Sequence, residues 1–146
     1  EKIYWDNCQM FRNILSNEKH FNKLINIGSG IDEQNTWYGK AKKAIKLYIL
    51  DDDDMVNLRC FGVWGKYEKK DRFPTYCQTH RKVNIEDKLM RYIHVNELVK
   101  VIDNIIKKWP DKRDIILGTP ILLSEFAKQL NPKITINITG TGKDYI

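Results

Sequence analysis

The sequence predicts an α/β fold: a single three-layer α/β/α domain over residues 1–146, with a mostly parallel sheet. Three observations predict it. In the last third of the chain, apolar residues switch between the helical and the strand period across short connections. Such an order implies right-handed crossovers and parallel pairing. The length of 146 residues suits one domain with a sizeable core. The composition, 42% hydrophobic and 30% charged, belongs to a globular chain and not a disordered one.

Taken in order, Ile3 to Trp5 reads as a short buried strand that ends at Asp6. Phe11, Ile14, Leu15, Phe21, Leu24 and Ile25 follow at helical spacing. Gly28 and Gly30 in NIGSG end that helix. Residues 31 to 37 read as a polar loop. Ala41 to Leu50 is ambiguous, and Lys46 to Leu50 is taken as a second strand because an acidic turn follows at once. Residues 57 to 84, with breakers at Gly62, Gly65 and Pro74, read as loop with one or two short strands. Asn96 then caps a helix that has Glu97 in its first turn. Leu98, Ile102, Ile105 and Trp109 repeat along it, and Pro110 stops it. Arg113 to Leu117 reads as a buried strand. Thr119-Pro120 opens a helix through Leu122, Leu123, Phe126 and Leu130, closed by Asn131-Pro132. Lys133 to Thr139 alternates as the last strand. The expected core is Leu98, Ile102, Ile105, Ile116, Phe126, Ile134 and Ile136.

No apolar run approaches the length of a membrane span. The three cysteines are odd in number and widely spaced, which argues against a disulfide framework. A reducing compartment, the cytoplasm, is the expected home. The net charge of +6 is a mild bias toward polyanions. The chain opens at Glu1 without a Met, which leaves room for a preceding leader.

Open parallel sheets place their sites at the carboxyl ends of strands, and that rule ranks the acids. Asp6 follows the expected first strand, and Asp51 to Asp54 follow the expected second. Glu86-Asp87 precedes an apolar helical stretch, while Gly118 and Thr119 follow the RDIIL strand. Converging carboxylates repel unless a cation neutralises them, and oxygen-rich clusters suit Mg²⁺ or Mn²⁺. The structural alternative is that Asp6 caps a helix, the four aspartates form a solvated turn, and Glu86 and Asp87 occupy a helical first turn. Lys66 to Lys82 interleaves bases with Tyr and Phe, a pattern suited to single-stranded nucleic acid through Lys69, Lys70, Arg72, Arg81 and Lys82. Its alternative is a solvated basic loop. Cys77 and His80 have zinc-ligand spacing, but Cys60 reads better as an ordinary buried thiol. The TGTGK run at Thr139 to Lys143 lacks a complete phosphate-loop pattern.

The opening strand followed by Asp6-Asn7-Cys8-Gln9-Met10-Phe11 resembles the start of the NYN branch of PIN-like nucleases, with Gln9 where that family has Asn. The later order is similar too: a Lys-rich segment with an acid from Lys82 to Asp87, an apolar helix, a strand, a helix and a strand. The family's late strand leads into a Gly-Asp-Ser-Asp-Phe type motif. Here Leu117-Gly118-Thr119-Pro120 has no Asp, and Ser124-Glu125-Phe126 echoes the motif's end across a shift. The resemblance implies a PIN/NYN-like, metal-dependent endoribonuclease with Asp6, Asp87 and Glu125 as catalytic residues. Asp6 and Asp87 would be ligands to Mg or Mn, and single-stranded or structured RNA the partner. The missing late Asp keeps open a non-catalytic RNA-binding module of the same fold. LYILDDDDMV separately resembles the first motif of haloacid-dehalogenase-type phosphatases, which would make Asp52 the nucleophile, Asp54 the general acid and Thr119 a second-motif hydroxyl. A glycosyltransferase Asp-x-Asp site is a third reading of the same run.

Overall fold

The computed structural model describes residues 1–146. In chain order the elements are α1 (Lys2–Leu15), β1 (Leu24–Ser29), α2 (Trp37–Leu50), β2 (Met55–Cys60), β3 (Gly62–Trp64), α3 (Phe73–Thr79), β4 (Lys82–Asp87) and β5 (Leu89–His94). They continue with α4 (Val95–Lys107), β6 (Asp114–Ile116), β7 (Thr119–Leu122), α5 (Leu123–Leu130) and β8 (Thr135–Thr141). The expected α/β class with mostly parallel strands holds: β1–β2, β2–β6, β3–β5 and β4–β8 pair parallel, and only β5–β7 is antiparallel. The chain divides into two compact units, Glu1–Cys60 with Val101–Leu117, and Phe61–Lys100 with Gly118–Ile146.

In the first unit the sheet order is β1-β2-β6. β2 is the central strand, and its first four residues are all buried. α2 forms because Ala41, Ile45 and Ile49 recur every fourth residue and bury completely or nearly so, while Thr36 accepts a hydrogen bond from the Gly39 amide and caps the helix. Phe11 of α1 joins Ile45, Ile49 and Met55 in the core, with Leu15 and Leu24 packed against them.

In the second unit the core is Cys77, Val83, Ile85, Leu123, Ala127 and Ile134. β3-β5-β7 and β4-β8 form its sheets. α5 has no capping side chain of its own at Leu122. Asp87, at the end of β4, supplies the cap instead, accepting from Ser124 N at 3.0 Å and Ser124 Oγ at 2.7 Å.

The N-terminal elements differ from expectation. Ile3 to Trp5 is helix, not strand, and Ile3 and Trp5 are 49% and 54% exposed. Local apolarity there does not reflect burial. The expected helix through Leu24 and Ile25 ends at Leu15, because Leu24 to Ser29 instead pair residue by residue with Met55 to Cys60. Lys46 to Leu50 continues α2, since the apolar stripe set by Ala41 extends to Ile49. The stretch after Asp87 is strand β5, with the helix starting only at Val95. Thr119-Pro120 belongs to β7, where proline sits on an antiparallel edge, and α5 starts at Leu123. Of the expected core, Leu98, Ile105, Phe126 and Ile134 are buried, and Ile102 and Ile136 are partly so. Ile116 is 47% exposed, because β6 is a three-residue edge strand.

Candidate active site

The turn after β1 leads directly into α2. Ser29 ends the strand, and its hydroxyl accepts from the Ile31 amide at 3.3 Å, opening a 3-10 turn over Gly30–Glu33. Thr36 then caps α2 through the Gly39 amide at 2.9 Å. Gly39 is required there: a Cβ would lie 2.5 Å from the carbonyl oxygens of both Ile31 and Gln34. The capped first turn of α2, close to the carboxyl end of a parallel strand in the chain, carries Tyr38, and Lys42 follows one turn on. The Lys42 ammonium stands 5.3 Å from the centroid of the Tyr38 ring. Burial holds the Lys42 pKa below the usual lysine value.

One further turn along, Lys46 is 6% exposed. It contacts Asp32 at 2.6 Å and Glu33 at 3.1 Å. Burial alone would lower its pKa, but the contacts with Asp32 and Glu33 outweigh that and raise it. Glu33 is pulled down by the same lysine. Asp32 is itself 3% exposed and faces Arg59 Nε at 3.6 Å. Arg59 pairs with Asp114, and Asn57 donates to Asp114 at 2.8 Å. Asn26 donates to Asn57 at 2.7 Å. Asn26, Asn57 and Asp114 are register partners, so they form one polar row across β1, β2 and β6. Gly28 leaves room for the row: a Cβ there would lie 2.3 Å from the Asn57 side-chain oxygen.

The acids expected to bind metal are placed otherwise. Asp6 is exposed on α1 and lines an open groove of about 690 Å³ with Gln9, Met10, Asn13, Ile14, Asn17 and Phe21, none of them a second carboxylate. Asp87 is occupied as the α5 cap, and Glu125 is exposed in the first turn of α5. Asp51 to Asp54 link α2 to β2, with Asp52 accepting from the Asp54 amide at 2.8 Å and Asp53 pairing with Arg113. No group of three or more His, Cys, Asp or Glu is close enough to hold a metal ion. Lys69, Lys70, Arg72, Arg81 and Lys82 are exposed, and Arg72 is paired with Glu68. Cys60 and Cys77 are free, buried thiols pushed up to about 11 by burial.

No family model and no curated protein matches the chain. Solved structures do match. The chain superposes on a dTDP-glucose 4,6-dehydratase from Bacillus anthracis, solved in complex with NAD, with TM-score 0.74 and 16% identity over 100% of this chain and 60% of that one. A hypothetical dTDP-4-dehydrorhamnose reductase from Sulfolobus tokodaii gives 0.75 and 17% over 98% and 59%. A GDP-L-fucose synthetase from Naegleria fowleri bound to NADP gives 0.73 and 11% over 97% and 63%. The chain thus spans about three-fifths of these structures, and at such identities the likeness is one of fold.

These matches correct the expected family. The fold taken for a PIN/NYN-like nuclease is instead similar to that of a dTDP-glucose 4,6-dehydratase solved with NAD and a GDP-L-fucose synthetase bound to NADP. The ribonuclease, RNA-binding and phosphatase readings fall with it, as do Mg and Mn. The physical reason is that Asp6 ends no strand and the other acids serve caps and turns. Tyr38 and Lys42 are a candidate pair that the reading of the acids passed over. Their signal was present in Thr36-Trp37-Tyr38-Gly39-Lys40-Ala41-Lys42, a helix cap followed by a phenol and an amine at i, i+4.

Proposed function

We propose that this chain forms the substrate-reacting part of an NAD(P)-dependent oxidoreductase acting on a nucleotide sugar, with Tyr38 as the proton-transferring group and Lys42 as its electrostatic partner. The observation that carries the reading is the half-buried Lys42 ammonium over the Tyr38 ring, close in the chain to the carboxyl end of β1. When bound, the nicotinamide supplies hydride transfer to or from carbon. The chain's own share is the proton. In the reducing direction the Tyr38 hydroxyl donates its proton to the carbonyl oxygen of the sugar and is left as phenolate. A nearby ammonium favours a phenolate over a neutral phenol, and Lys42 is placed to provide that charge.

The residues present fit the reacting end of such a cofactor, not its pyrophosphate. The end of β1 and the turn that follows read Gly28-Ser29-Gly30 without the third glycine of a pyrophosphate cradle, and the space above Gly28 is filled by Asn57. The three free thiols of Cys8, Cys60 and Cys77 suit a reducing compartment, and we assign the protein to the cytoplasm. No helix is long and apolar enough to cross a membrane.

The test follows loss of nicotinamide absorbance when the polypeptide carrying this chain is given NADPH or NADH with dTDP-4-dehydrorhamnose or another 4-keto nucleotide sugar. Turnover should fall about 10²–10⁴-fold in Tyr38→Phe with the circular dichroism unchanged. Turnover that survives Tyr38→Phe, or none with any 4-keto nucleotide sugar, overturns the reading.

A further inference from the structure

The turn after β1 touches α2 at two levels. At the first, Gly39 lies so close to the Ile31 and Gln34 carbonyls that no side chain fits between them. At the second, Lys46 reaches back into the same turn to contact Asp32 at 2.6 Å. Tyr38, Lys42 and Lys46 are spaced i, i+4, i+8 and share one row of the helix. A helix seated at two points along its length neither slides nor rolls on the surface that seats it. Any roll that moved Lys46 would carry Lys42 and Tyr38 with it.

Stability alone is a poor reason for this pair. Removing two charges from water offsets most of their attraction, and apolar replacements are often as stable. Asp32 Oδ1 is buried with no hydrogen-bond partner in the protein, and so is Arg59 Nε beside it, which adds to that cost. What the pair does supply is direction: Asp32 is the buried partner of Lys46, while Glu33, its other partner in the same turn, is largely exposed.

We propose that Asp32 is a positioning residue: through its buried pairing with Lys46 it sets the roll of α2 on the turn after β1, and so the placement of Tyr38 and Lys42. The inference rests on the roles given to Tyr38 and Lys42 above, but its main test needs neither cofactor nor substrate. A short pulse of acetic anhydride at one pH, read by mass spectrometry, measures how fast each lysine is acylated in the whole polypeptide. The lowered pKa gives Lys42 more free amine at a given pH, but its burial shields it from the reagent, and shielding should leave it slower than exposed Lys69 and Lys70. In Asp32→Asn, Lys42 acylation should rise several-fold while Lys69 and Lys70 keep their rates. Asp32→Asn leaves the buried Lys46 charge with exposed Glu33 as its remaining partner, so Asp32→Asn with Lys46→Met is the companion variant. It keeps the interior neutral and should melt close to the parent, yet show the same rise at Lys42. In the reduction assay the double variant should lose about tenfold or more in kcat with KM little changed, as expected when a reacting group is misplaced. Asp32→Glu should recover part of the loss. Unchanged Lys42 acylation in both variants overturns the proposal. So does a rise shared by all lysines, which would mark Asp32 as a stabilising residue only. If Lys42 responds as expected while no 4-keto nucleotide sugar is turned over, positioning stands and the catalytic reading falls.

Discussion

The two compact units bury different things. The interior of the first contains Asn57, Lys46 and Asp32, and its central strand is crossed by a hydrogen-bonded polar row. The second buries a cluster of apolar side chains and one thiol, and keeps its best-defined carboxylate, Asp87, at a helix end. Apolar packing is tolerant of repacking and is directed mainly by shape. A buried polar network has few satisfied arrangements, so it fixes geometry at some expense of stability. The unit with the polar interior is the one that carries Tyr38 and Lys42.

That contrast is open to direct attack. The largest effect is expected from Asn57→Leu, which makes the first interior more apolar but takes the partner from Asn26 Nδ2 and from Asp114 Oδ1, while Arg59 still holds the other Asp114 oxygen. With two polar atoms left unpaired, the loss should be about 4 kcal/mol in a denaturant melt. A stabilised variant would mean that the polar row is dispensable. Next, Leu123→Ala in the second unit should cost about 3 kcal/mol, as a cavity in an ordinary apolar core does. Hydrogen exchange should place that loss in β4 and β8 and leave β2 protected; equal loss in both units would erase the distinction between them. The smallest effect is expected from Asp87→Ala, which removes the α5 cap and should cost about 1 kcal/mol. A much larger loss would give the second unit a polar dependence like that of the first.

Along the chain, a different division separates what was legible in the sequence from what was not. In the second half, Leu98, Ile105, Phe126 and Ile134 are both periodic and buried, so pattern and structure agree. In the first half pattern and burial separate. Ile3, Trp5, Met10 and Ile14 of α1 are apolar yet exposed, whereas Lys46, Asn57 and Asp32 are polar yet buried. Hydrophobic periodicity reports on neither group. The candidate site lies in that half, and the Tyr38–Lys42 spacing carries no hydrophobic signal. Parallel pairing of Leu24–Ser29 with Met55–Cys60 is a long-range event, and it overrode a helical spacing that was locally adequate.

The chain crosses from one unit to the other three times, after Cys60, after Lys100 and after Leu117. Neither unit is therefore a contiguous segment that a gene fragment could encode. A stop after Lys100 would strip β6 from the first sheet and remove β7, α5 and β8 from the second. A cut at the β2–β3 junction would leave an N-terminal piece without its edge strand and a C-terminal piece carrying a strand, β6, that pairs with nothing of its own. Shuffling one unit onto a foreign partner would demand three simultaneous splice points. Each unit is thus completed only when the chain has returned to it from the other.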